Sequence, residues 1–108
     1  MEVRRRRDAV EIKYAILKAA TGGQKKTRIM YRSSLNMKQL NLHLDELTHN
    51  ELISYQSVGR YFTTTESGRA FAKMFEYYLE TRDLLSEQEK ALERFLTARA
   101  KKPLGVLA

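Results

Sequence analysis

His43 and His49 are the only histidines in the chain. They lie six residues apart, with no ligand partners at a metal-binding spacing such as His-Glu-x-x-His. His43 falls on the half-buried side of a helical pattern and His49 faces solvent just beyond it, so neither is expected to ligate a metal. Gly22-Gly23-Gln24-Lys25-Lys26-Thr27 superficially resembles a phosphate-binding loop, but it lacks the first glycine at the required spacing and has no preceding strand. The segment is therefore expected to connect two helices. The serines form no Ser-His-Asp order with a nucleophile elbow. The absence of cysteine excludes disulfides and thiolate metal sites. No catalytic residue, metal or cofactor is expected. What remains is a set of hydrogen-bonding and cationic side chains, Lys38, Gln39 and Asn41 foremost, whose chemistry is recognition.

Charge indicates what is recognised. The 108 residues carry a formal net charge of +7, and 43% of them are hydrophobic, enough for one small core. Residues 1–64 hold twelve Lys/Arg against six Asp/Glu, whereas residues 65–108 hold eight against seven. A basic first half followed by a nearly balanced second half points to a polyanion as the partner of the first. No stretch reads as a secretory signal or approaches the roughly 20 apolar residues of a membrane span. A cytoplasmic, nucleoid-associated location is expected, with no membrane partner.

The elements that must position these side chains follow from local signals. Asp8 reads as the N-cap of a first helix, Ala9 to about Ala20, with Ile12, Ile16 and Ala19 on its apolar face and Tyr14 and Leu17 beside them. Gly22-Gly23 ends it, and Gln24 to Lys26 read as a basic linker. Thr27 is placed to cap a short second helix, roughly Arg28 to Arg32, that turns Ile29 and Met30 inward. Ser33-Ser34-Leu35 reads as a turn with Leu35 as its apolar plug. Asn36 followed by Gln39 has capping-box spacing and opens a third helix, Met37 to about Thr48, with Met37, Leu40, Leu44 and Leu47 on one stripe. Two helices joined by so short a turn cross steeply, as in a helix-turn-helix. Leu52–Gln56 and Tyr61–Thr64 read as strands around Ser57-Val58-Gly59-Arg60, a hairpin whose tip is a wing. Thr65 then caps a last helix running to about Lys102.

That last helix, some 35 residues at 1.5 Å each, would span about 50 Å. Phe71, Met74, Tyr78, Thr81, Leu85, Gln88, Leu92 and Phe95 recur at alternating three- and four-residue spacing, the seam of a coiled coil. Tyr77, Leu84 and Ala91 widen the seam on one side. A 108-residue monomer cannot bury such a stripe, so a homodimer through this helix is expected. Spacing alone does not fix its direction. The organisation expected is a basic arm over 1–7, a winged helix-turn-helix over 8–70, a dimerisation helix over 71–102 and a flexible tail over 103–108. The fold class is mainly α, an α+β winged helix-turn-helix with a long C-terminal coiled-coil helix.

In such a fold the third helix enters the major groove of double-stranded DNA and offers Lys38, Gln39 and Asn41 to base edges or phosphates. Gln and Asn make paired hydrogen bonds to adenine, and Leu42 reaches a thymine methyl. Ser34 and Asn36, at the positive end of that helix, suit a phosphate oxygen. Arg28 and Arg32 clamp the backbone from the second helix, and Arg60 at the wing tip reaches an adjacent minor groove. Arg4 to Arg7 form an arm able to touch phosphates.

Lys26-Thr27-Arg28-Ile29-Met30-Tyr31 followed by Leu35-Asn36-Met37 resembles the signature of archaeal winged-helix proteins, in particular the small ten-kilodalton "10a" chromatin-associated family. The resemblance continues through Leu40, Leu44, Leu47 and Leu52-Ile53 to Thr65-Glu66-Ser67-Gly68, and covers about residues 8–95. It implies a homodimer joined by an antiparallel coiled coil of the last helices, with DNA binding of weak sequence preference. Two departures stand out: Thr64 occupies a strand position that is usually apolar in that family, and Asn36-Met37 replaces Ser-Tyr. The function expected is that of a dimeric DNA-binding transcription regulator or chromatin protein. A protein-interaction adaptor of the transcription machinery is the alternative, and structured RNA is a third possible partner.

Overall fold

The computed structural model describes residues 7–101, and the side chains of residues 7–97. Arg4 to Arg6 of the expected arm and the expected tail at 103–108 lie outside the described residues. The described residues form α1 (Ala9–Ala20), α2 (Lys26–Ser33), α3 (Met37–His49), β1 (Ile53–Gln56), β2 (Tyr61–Thr64) and α4 (Glu66–Lys101). The chain divides into two compact units, one ending at Phe75 and the other beginning at Glu76.

In the first unit, α1 starts where Asp8 requires it to. Asp8 Oδ1 accepts the Glu11 N–H at 2.8 Å, and Glu11 Oε1 accepts the Asp8 N–H at 3.2 Å, a reciprocal capping box. Ile16, Leu17, Ala19 and Ala20 are buried, and each fully buried large aliphatic side chain contributes about 1.5–3 kcal/mol. They meet Ile29 of α2, Leu40, Leu44 and Leu47 of α3, and Ile53 of β1 in one cluster, with Leu35 plugging it from the α2–α3 turn.

The segment after α1 differs from the basic linker expected. Gly22 and Gly23 hold φ of 85° and 94° and swing the chain back to the sheet. There the Gln24 N–H donates to the Phe62 carbonyl and the Phe62 N–H to the Gln24 carbonyl, both at 2.8 Å. Gln24 thereby pairs with the outer edge of β2, whose backbone groups would otherwise lack partners. Lys26 belongs to α2 rather than to a linker.

β1 and β2 pair antiparallel with Ile53 opposite Thr64 and Gln56 opposite Tyr61. Gly59 at the tip has φ of 88°, as the compact turn requires. Thr64 is buried, and its hydroxyl donates to the Leu17 carbonyl at 2.6 Å. A polar residue is accommodated at this apolar strand position because α1 supplies its acceptor.

α3 ends in a Schellman arrangement. The Glu51 N–H donates to the Thr48 carbonyl at 3.0 Å and the Leu52 N–H to the Leu47 carbonyl at 2.9 Å, with Glu51 left-handed at φ 62°. Thr65 caps α4 by accepting the Gly68 N–H at 3.1 Å while its hydroxyl donates to the Glu51 carbonyl at 2.7 Å. Ala72 and Phe75 are buried in this first unit, Phe71 packs against its core, and the Tyr14 and Phe75 rings lie 4.9 Å apart. Phe71, expected on the seam of a coiled coil, is thus already half covered within its own chain.

In the second unit, α4 continues with Leu84, Leu85, Leu92, Phe95 and Leu96 exposed. Thr81 returns its hydroxyl to the Tyr77 carbonyl at 3.0 Å, satisfying it within the helix. No helix among the described residues is long and apolar enough to cross a membrane.

Candidate nucleic-acid interface

α2 forms without the cap expected of it. Its N-cap is Lys25, which makes no side-chain capping bond, and Thr27 lies inside the helix. The helix is held by the burial of Ile29 and by its C-terminal end, where Ser33 is buried and returns its hydroxyl to the Ile29 carbonyl. Ser34 is left-handed at φ 58°. Its N–H donates to the Tyr31 carbonyl at 3.2 Å and that of Leu35 to the Met30 carbonyl at 3.1 Å. This closes the turn and drives Leu35 into the core. Arg28, Tyr31 and Arg32 are all exposed, and their spacing places them on one side of α2. Tyr31, 77% exposed, was not among the residues expected at the interface. The signal that would have found it is its position between two arginines at helical spacing.

α3 opens with a second capping box. The Gln39 N–H donates to Asn36 Oδ1 at 2.8 Å, and the Asn36 N–H donates to Gln39 Oε1 at 3.2 Å. This alters the expectation for both residues. Reading adenine bidentately requires the amide oxygen of Gln39 as an acceptor, and that oxygen is engaged by the helix's own first turn. Its Nε2 group remains available as a donor. Lys38, Asn41, Leu42 and Asp45 share the outer stripe by their spacing, and all four are exposed, Leu42 at 62%. Leu40, His43, Leu44 and Leu47 face inward. Met37, expected on that inner stripe, is exposed at the first turn.

Beside that inner side, the exposed Glu46 ties α3 to α1 by charge. Glu46 Oε1 lies 2.9 Å from Lys13 Nζ and 3.7 Å from His43 Nδ1, and the latter nitrogen is buried without a hydrogen-bond partner. The Lys13 hydrogen bond and charge hold the Glu46 carboxyl below its ordinary range. His43 is therefore a core residue of α3, while His49 is exposed. Among the described residues no three His, Asp or Glu side chains gather as a metal site.

Arg60 is exposed at the wing, left-handed at φ 53°, with its N–H donating to the Ser57 carbonyl at 3.3 Å. Arg7 is placed otherwise than as a free member of an arm. Its guanidinium donates to the carbonyls of Ser33 at 2.8 Å and Ser34 at 3.3 Å, at the negative end of α2. Arg7 thus braces the helix-helix turn from the start of α1.

A short helix and a capped longer one joined by a tight turn, a polar and cationic stripe on the longer helix, and a two-stranded wing define a winged helix-turn-helix. The winged helix-turn-helix family model matches residues 6–83, and the chain belongs to that family. Among solved structures it is similar to Sso10a-2, a DNA-binding protein from Sulfolobus solfataricus, with a TM-score of 0.76 and 22% identity over 83% of this chain and 97% of that one. It is also similar to BpsR of Bordetella bronchiseptica, whose DNA binding is regulated by 6-hydroxynicotinic acid. There the TM-score is 0.60 at 13% identity over 84% of this chain and 74% of that one. These likenesses are of fold, and the first agrees with the 10a-type resemblance of the sequence. No curated protein matches the chain.

Proposed function

We propose that the chain is a homodimeric double-stranded DNA-binding protein that acts in transcription regulation or chromosome organisation. The observation that carries this reading is the outer stripe of α3. Lys38, Asn41 and Leu42 are exposed there on a helix whose inner side is fully committed to the core. Arg28, Tyr31 and Arg32 on α2 and Arg60 on the wing add phosphate-binding groups, and Ser34 and Asn36 lie beside them at the turn. The two solved structures named above are both of DNA-binding proteins, which supports the same partner here. Dimerisation uses the seam of α4 from Met74 through Tyr78, Thr81, Leu85, Gln88 and Leu92 to Phe95, with Phe71 contributing at its edge.

Phosphate capture dominates the affinity. If each winged helix neutralises about 4–6 phosphates, log K falls with log salt with a slope of roughly −4 to −5 per head. The test is a salt series of binding isotherms on unrelated duplexes, with duplex RNA as competitor. Arg28→Ala with Arg32→Ala weakens every sequence similarly and flattens the slope by about 2. Absence of binding at low salt refutes the reading and favours a protein adaptor, and preference for RNA moves the function to structured RNA.

A further inference from the structure

Residues 12–44 hold seven Lys/Arg and no Asp or Glu, and α2 lies in the middle of that run. Lys25, Arg28 and Arg32 follow one another at three- and four-residue spacing. They therefore form a line down one side of the helix, about 5–6 Å apart from one to the next. Thr27 and Tyr31 lie beside that line. All five side chains are exposed, whereas Ile29 and Ser33 on the other side are buried.

Tyr31 differs from the other aromatic residues of the first unit, each of which is covered by a neighbour. The Tyr14 ring lies 4.9 Å from that of Phe75, and the Tyr55 ring 4.9 Å from that of Phe62. Tyr61 lies over Gly23 and Gly59, and Phe71 packs against the core. Tyr31 is 77% exposed, and among the described residues no hydrogen bond, ring contact or cation–π contact engages it. A bare ring face beside a row of cations is the composition of a stacking platform for unpaired bases.

We infer that the outer face of α2 binds single-stranded nucleic acid, with Tyr31 stacked on an unpaired base and Lys25, Arg28 and Arg32 following the phosphates of that strand. In a duplex each base face is covered by the next base pair, and only base edges line the grooves. The Tyr31 ring then has nothing to stack on, and only its hydroxyl can meet a phosphate oxygen. An unpaired base offers its own face, and the flanking guanidinium planes of Arg28 and Arg32 can carry a second one. The strand approaches without repulsion, because no carboxylate interrupts the run of cations. This activity is separate from the duplex reading, which rests on the outer stripe of α3.

The chain contains no tryptophan, so Tyr31→Trp places a single indole at the site. Its fluorescence is titrated at low salt with oligothymidylate, with oligouridylate and with a long duplex. Stacking on a single strand quenches the indole, and the duplex leaves it unquenched. Quenching by oligothymidylate alone assigns the strand as DNA, by oligouridylate alone as RNA, and by both as either.

Two further variants separate the ring from the hydroxyl. Tyr31→Ala weakens single-strand binding about tenfold, while Tyr31→Phe, which keeps the ring, stays within about twofold of the wild type. On duplex the two variants behave alike, since both lack the hydroxyl. Both melt as the wild type does, because the side chain is exposed. Equal quenching by single strand and duplex, or quenching by neither, overturns the inference. So does a Tyr31→Phe protein as weak on single strands as Tyr31→Ala. A chain that binds single strands in this way but no duplex upholds the inference and overturns only the duplex reading.

Discussion

Helix propensity and packing make opposite predictions for Gly68→Ala. Gly68 lies in the first turn of α4, where alanine is worth about 1 kcal/mol more than glycine on propensity alone. A methyl group built there would lie 2.1 Å from the Leu52 carbonyl oxygen and 2.6 Å from Thr64 Cγ2. The obstacle is backbone, and it is held in place. The Leu52 carbonyl accepts the Thr65 N–H at 3.1 Å, and the Leu52 N–H is engaged by Leu47 at 2.9 Å. Relief therefore requires α4 to move away from the end of α3, against the Thr65 cap that joins them. Overpacking of this kind costs about 1–3 kcal/mol, and the upper value applies where nothing flexible can yield. Subtracting the propensity gain leaves a net loss of about 2 kcal/mol, or a Tm lower by about 8–16 °C for a domain of this size. Thermal melts followed by circular dichroism measure it, with Ala70→Gly, an exposed site in the same turn, as a propensity control costing about 1 kcal/mol. A Gly68→Ala protein melting at or above the wild type would refute the reasoning.

Glu51→Gly relieves the left-handed residue at the end of α3 and raises stability by about 0.5–1 kcal/mol in chemical denaturation, with DNA affinity unchanged. Arg60→Gly relieves the same kind of backbone at the wing without loss of Tm, yet lowers DNA affinity and the salt slope by about 1; unchanged affinity rules out Arg60 as a contact. Gln39→Glu keeps an acceptor for the Asn36 N–H, so its melting curve matches the wild type while binding weakens through repulsion of phosphate. Gln39→Ala changes preference among duplexes, and equal losses on every sequence remove any base-reading role. The Glu46 carboxyl is charged in the folded state to a lower pH than in the unfolded chain. Its contribution is complete above the ordinary carboxylate range and is lost as pH falls through the depressed folded value. In Lys13→Met, NMR titration of Glu46 moves back up toward the ordinary value, and an unmoved titration discounts the ion pair.

What could be read in the sequence is what the chain decides within three or four residues. The Asp8, Asn36 and Thr65 caps each act on an amide three positions on, and the wing turn is announced by Gly59. The residues missed are those whose partners are distant. Gln24 looks like linker until Phe62 is beside it, and Thr64 looks misplaced until the Leu17 carbonyl is found to accept its hydroxyl. Gly68 reads as a weak point in a helix until Leu52 fills the space where a side chain would go. Arg7 looks like the end of a charged arm, but it bonds carbonyls 26 and 27 positions away.

The same distinction applies to the candidate interface. Lys38, Asn41 and Leu42 were legible because a helix's outer stripe follows from the position of its inner one, and Leu40, Leu44 and Leu47 fix that inner stripe. Gln39 and Ser34 were legible only in part, because each has a structural task that local spacing did not reveal as competing with the expected contact. Gln39 closes the first turn of α3 with the oxygen a base reader would need, and Ser34 supplies a left-handed backbone where glycine would be less strained. Ser34 and Arg60 are both left-handed non-glycine residues, the first expected at a phosphate oxygen and the second at an adjacent minor groove. Glycine at either position would ease the backbone but remove the hydroxyl or the guanidinium. Strain kept at two such points is accounted for if the side chains are needed there, which joins the backbone geometry of this winged helix to its proposed grip on DNA.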